Sequence, residues 1–120
     1  MEKEVLNRIE QYVDSHQDEM IEKYQELINL KDFWRDADAV SAVAVWLKKE
    51  FEDEGFLCEL VDVAPEYGKL LMGTLGENRD KEAILFSGHM DTALASDLYP
   101  EEPFTVKDGN AYGPGVLDMK

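Results

Sequence analysis

Cysteine is almost absent from this chain, and the one present, Cys58, excludes any internal disulfide. Positive charge is scarce as well. Twelve Lys and Arg face 27 Asp and Glu for a formal net charge of -15, and no window gathers bases into a patch. Nucleic acid is therefore excluded as a partner, because an acidic surface repels a phosphate backbone, and anionic membrane surfaces are disfavoured for the same reason. The acids are spread, 16 against 7 bases in residues 1–60 and 11 against 5 in residues 61–120, so they read as a solvated surface rather than an acidic tail. No apolar run is long enough for a bilayer, no charged-then-apolar leader opens the chain, and no internal repeat occurs. A cytoplasmic location is the expectation. Calcium loops of the Asp-x-Asp-x-Asp-Gly kind are missing too.

What is there is one globular core's worth of chain: 120 residues, 44% of them hydrophobic. Val5, Ile9, Tyr12 and Val13, then Met20, Tyr24, Leu27 and Ile28, recur at helical spacing. They predict one or two amphipathic helices over residues 2–30, with Asp14 or Ser15 able to cap a second. Lys31 to Asp38 reads as a connector. Val40, Val43, Ala44, Leu47 and Phe51 form the next stripe, and Gly55 stands where a helix-terminating glycine belongs. Beyond it, 56–63, 69–75 and 82–87 are β-type segments, the last continuously apolar from Ala83 to Phe86 as in a strand buried on both faces. Helix, helix and three strands predict a layered α/β domain with a mixed sheet.

Several side chains have bland readings. His16, on an acidic helical stretch, is expected to be an exposed, partnerless surface residue. Cys58 is expected to be a small buried strand residue, with no base beside it in sequence to make a thiolate. Trp34 and Trp46 suit packing. Glu50, Glu52, Asp53 and Glu54 crowd a helix C-terminus, where the dipole disfavours acids at a cost reduced by solvent.

Chemistry enters at Ser87-Gly88-His89-Met90-Asp91-Thr92, an imidazole and a carboxylate two residues apart at the end of the most apolar segment. In extended backbone, i and i+2 side chains point the same way, so the two can converge. Alone, a His beside an Asp is often just a satisfied polar pair. The later run Gly109-Asn-Ala-Tyr-Gly-Pro-Gly-Val-Leu-Asp118 adds glycines that let backbone approach a ligand and a carboxylate that suits a divalent metal. His89 and Asp118 are thus candidates to meet on one ion.

Both motifs, with Pro103-Phe104, Asp108-Gly109 and Asp118-Met119-Lys120, occur in the order and spacing of the aminoacylase and glutamate carboxypeptidase family of dinuclear zinc peptidases, which this sequence resembles over about residues 20–120. Gly-Pro-Gly, in place of the commoner Gly-Arg-Gly, resembles the glutamate carboxypeptidase branch. Ala93-Leu94-Ala95-Ser96-Asp97-Leu98-Tyr99 departs from the Val and Trp that often follow the first motif.

The resemblance implies the N-terminal part of a three-layer α/β/α zinc-exopeptidase-like catalytic domain with a mixed sheet. Helices would occupy about 2–54 and strands with metal-site loops about 56–120, with no second domain. It implies His89 as a ligand of one zinc, Asp118 as the carboxylate bridging two zincs, and Asp91 as a catalytic-site residue that fixes the His89 ring. Thr92 and Lys120 match the motifs without an assigned role. Peptide or N-acyl amino acid substrates are the implied partners, while strand edges and apolar helix faces left open in a partial domain predict association into a homo-oligomer. The family's remaining functional groups, a Glu-Glu pair, a later acid and a final histidine, lie beyond the Asp118 motif. The 120 residues alone are therefore expected to be an inactive, marginally stable portion of a metallohydrolase. The alternative is a non-catalytic binding or scaffold domain that keeps the fold.

Overall fold

The computed structural model describes residues 1–78 and 80–118. Helix α1 runs unbroken from Glu2 to Asn29. The expected second helix start at Asp14 or Ser15 does not form. Ser15 Oγ instead donates back to the Tyr12 carbonyl at 3.0 Å, a bond that satisfies the hydroxyl inside a continuous helix. His16 has partners, contrary to expectation: its ring stacks on Tyr12 at 4.0 Å, and its Nδ1 lies 2.8 Å from the Tyr12 carbonyl. Both follow from the i, i+4 spacing that brings side chains together on one helix face.

Helix α2, Ala37–Asp53, begins with Asp36, whose carboxylate accepts from the Ala39 N–H at 2.9 Å. Substituting Asp36 by Ala leaves that N–H without its cap, and we expect a loss of about 1 kcal/mol, read as a lower denaturant midpoint at unchanged slope. The other end closes as the sequence indicated. The Gly55 N–H donates to the Glu52 carbonyl and the Phe56 N–H to Phe51, both at 3.0 Å, with Gly55 at φ 90°. The rings of Phe51 and Phe56 meet edge to face at 4.9 Å across the stop. Three of the four crowded acids at this end are paired with lysine: Glu52 with Lys48, Asp53 with Lys49, and Glu50 with Lys23 of α1 at 3.1 Å.

Strands β1, Leu57–Ala64, and β2, Gly68–Thr74, form an antiparallel hairpin under α2. Gly68 is the point of closest approach. A Cβ there would lie 2.8 Å from the Ala37 carbonyl oxygen and 3.1 Å from Val40, so the hairpin seats on α2 only because that residue has no side chain. Cys58 lies on β1, the strand position expected, but is only half-buried rather than buried. Trp34 is more exposed than packing would make it, and the Arg35 guanidinium covers its ring at 4.5 Å. A second small antiparallel hairpin joins β3, Thr105–Lys107, to β4, Asn110–Tyr112, around Asp108 and Gly109, both at positive φ.

Helices and strands thus mix as expected, but the strand expected at 82–87 is not formed. Those residues run without a ladder, and Ile84, Leu85 and Phe86 are 84%, 88% and 89% exposed. A strand needs a neighbour to take its N–H and C=O groups, and among the described residues no strand runs beside this one. Both sheets among the described residues are antiparallel; the parallel relation is confined to a single bridge, Phe33 to Thr92. The core comprises Ile28, Val40, Val43, Ala44 and Phe104, joining the end of α1 to α2 and to the loop ahead of β3.

Candidate metal centre

Two loops carry the site, and the end of α1 with its connector holds both. On one side, Thr92 is 6% exposed: its N–H donates to the Asp32 carbonyl at 2.8 Å and its carbonyl accepts from the Trp34 N–H at 3.0 Å. This clasp anchors the His89-Met90-Asp91 segment to the α1–α2 connector. It also gives Thr92 a structural part that the motif alone did not supply. On the other side, residues 113–118 turn twice, Val116 N–H to the Gly113 carbonyl at 3.3 Å and Asp118 N–H to Gly115 at 3.0 Å, with Gly115 at φ 69°. Gly113 lets this loop lie against α1, since a Cβ there would come within 2.7 Å of the Ile28 side chain.

The loops bring together residues 29 positions apart. His89 Nδ1 lies 3.1 Å from the Asp91 carbonyl oxygen and 3.3 Å from its carboxylate, while Nε2 faces Asp118 Oδ2 at 3.5 Å. All three side chains are partly exposed. The fold therefore brings His89 together with both acids, Asp91 two residues on and Asp118 from the glycine-rich run. A carbonyl oxygen can only accept, so Nδ1 carries the ring proton and a neutral His89 turns the lone pair of Nε2 toward Asp118. A lone pair and a carboxylate repel at that distance unless a proton or a cation sits between them. The Asp91 carbonyl, followed by the charges of Asp118 and Asp91, holds the imidazole above its usual pKa against a partial desolvation that lowers it.

The donor set suits zinc: one imidazole nitrogen and one carboxylate oxygen, with the opposite ring nitrogen held by a hydrogen bond. Two donors on a tetrahedral zinc are roughly 3.3 Å apart when each bond is about 2.0–2.1 Å, and the observed separation is 3.5 Å. Among the described residues no group of three or more His, Cys, Asp or Glu is placed to hold a metal ion. Met119 and Lys120, the end of the second motif, lie outside the described residues.

Several known proteins resemble this chain along most of its length. Carboxypeptidase G2 of Pseudomonas sp. (strain RS-16) is 28% identical over 95% of this chain, and the Beta-Ala-His dipeptidase of Mus musculus is 25% identical over 97%. Acetylornithine deacetylase of Proteus mirabilis (strain HI4320) is 35% identical over 68% of the chain. The chain belongs to the aminoacylase and glutamate carboxypeptidase family. No family model matches the sequence. The chain spans 28%, 27% and 20% of the lengths of these three relatives.

Three further residues, Tyr24, Asn29 and Asp32, frame this centre without any local sequence signal. Tyr24 belonged to a packing stripe, and the other two sat at or beyond a helix end. Their partners are Val116, Phe104 and the Thr92 backbone, which lie 92, 75 and 60 positions away, a separation no local pattern reveals.

Proposed function

We propose that the whole protein is a zinc-dependent amide hydrolase, an exopeptidase or deacylase acting on a peptide or N-acyl amino acid, and that this chain carries part of its two-zinc centre. The observation that carries the reading is His89 Nε2 facing Asp118 Oδ2 at 3.5 Å, an imidazole nitrogen and a carboxylate oxygen at the separation of two ligands on one ion. The printed names of the relatives, a carboxypeptidase, a dipeptidase and a deacetylase, all describe cleavage of an amide or peptide bond and support the same chemistry.

In this reading His89 Nε2 and the Asp118 carboxylate would hold zinc, with Asp118 as the acid shared by the two-ion centre. Asp91 keeps the ring proton on Nδ1, so that Nε2 is the basic nitrogen, and prevents the imidazole from turning away. The chemistry zinc would supply when bound is Lewis-acid activation of a carbonyl and of a water nucleophile at neutral pH. The remaining ligands and the general base come from residues outside those described, because tetrahedral zinc takes three or four protein donors.

The test is chelation of the full-length protein followed by zinc restoration, with hydrolysis of dipeptides and N-acyl amino acids as the readout. Activity lost with the metal and regained with zinc supports the reading, whereas undiminished hydrolysis by metal-free protein contradicts it. Acid should act through His89. A raised folded-state pKa means that the proton competes with metal at higher pH than for an ordinary histidine. Zinc affinity should therefore begin to fall above pH ~6.5 as pH is lowered, with proton release on binding measurable by calorimetry in buffers of different ionisation enthalpy.

A further inference from the structure

Asp118 sits on a loop with little regular structure, yet its carboxylate has to be placed to within a fraction of an ångström of its partner for a shared ion. The residue that holds the loop comes from the opposite end of the sequence. We propose that Tyr24 is a positioning residue for Asp118: its hydroxyl grips the Val116 carbonyl and sets the double turn that aims the Asp118 carboxylate at His89. The proposal rests on the zinc reading given above.

Tyr24 is fixed at both ends. The ring stands edge to face against Phe104 at 5.6 Å, and Phe104 is in turn 7% exposed and tied to α1 by its N–H donating to Asn29 Oδ1 at 3.0 Å. The hydroxyl donates to the Val116 carbonyl, two residues before Asp118. Val116 is a member of the first turn, and Gly115, at its centre, accepts the Asp118 N–H in the second. Displacement of Val116 is therefore transmitted to Asp118 through one peptide unit and one hydrogen bond. Burial pushes the phenol upward, so the hydroxyl keeps its proton and remains a donor through the neutral range. Ile28, one turn further along α1, contacts the same loop at Gly113, so the helix meets it at two points. A packing role alone would be served by a phenylalanine.

Cobalt(II) is the probe, because its visible absorption reports the geometry of its ligands independently of turnover. In full-length metal-free protein, Tyr24→Phe should lower cobalt affinity, measured against a competing chelator, by about tenfold, the lower end of the range for groups that orient ligands. It should also alter the cobalt spectrum. Tyr12→Phe, on the exposed half of α1, should change neither. Wild-type affinity and spectrum in Tyr24→Phe, with cobalt lost in His89→Ala and Asp118→Ala, overturns the positioning role and leaves the zinc reading standing. Cobalt bound normally by His89→Ala and Asp118→Ala overturns the zinc reading and the proposal with it. Should Tyr24→Phe fail to fold, the titration is repeated in sucrose, which restores burial but not the hydroxyl. A defect that persists there supports the role, and a wild-type spectrum overturns it.

Discussion

Replacing His89 or Asp118 by alanine in the full-length protein should reduce zinc affinity and amide hydrolysis by more than roughly 100-fold, beyond the range for groups that only orient ligands. Asp91→Asn should fall within that range, roughly 10–100-fold. The gradient follows from geometry. Nε2 and Asp118 Oδ2 face each other at 3.5 Å and would each lose a direct bond to the metal. Asp91 faces Nδ1 on the far side of the ring, and its backbone carbonyl, 3.1 Å from that nitrogen, survives the substitution. Asparagine therefore removes charge from behind the imidazole without freeing the ring. Zinc content after dialysis and initial rates with one amide substrate check all three variants. Equal losses in the three would show that Asp91 is itself a ligand, and unchanged zinc in His89→Ala would remove the histidine from the centre.

Gly68→Ala should destabilise the protein by about 2–5 kcal/mol. Two penalties combine: a left-handed backbone angle, φ 74°, costs an alanine roughly 1–2 kcal/mol, and overpacking at a closed contact costs about 1–3 more. The second cannot be relieved by turning a flexible side chain. The added methyl would meet the Ala37 carbonyl oxygen at 2.8 Å, which is main chain in the first turn of α2, and Val40, one of the buried core residues, at 3.1 Å. Chemical denaturation provides the measurement. Gly76→Ala is the control, because it carries the same kind of strain at φ 102° but has nothing within 4 Å of the new Cβ, and it should cost only the backbone part. Equal losses in the two variants would show that the contact between hairpin and helix contributes nothing.

The sequence by itself determined the elements whose causes are local. The stripe Val40, Val43, Ala44 and the glycine stop at Gly55 define α2 and its end, since side-chain periodicity and a left-handed cap act within a turn or two. The His89-Met90-Asp91 spacing and the acid at 118 likewise named the candidate ligands before any fold was known. Tertiary structure decided the rest, because the deciding partners are remote. Residues 82–87 have the composition of a buried strand yet lie open, since composition supplies the drive to bury but only a neighbouring strand supplies the ladder. Asp14 and Ser15 have the chemistry of caps yet lie within one helix, where Ser15 finds a carbonyl three residues back. Nor does any local pattern link Tyr24 to Val116 or Asp32 to Thr92, the contacts that hold the two motif loops at bonding distance. Residue type supplied the chemistry of the site, and long-range packing supplied its geometry.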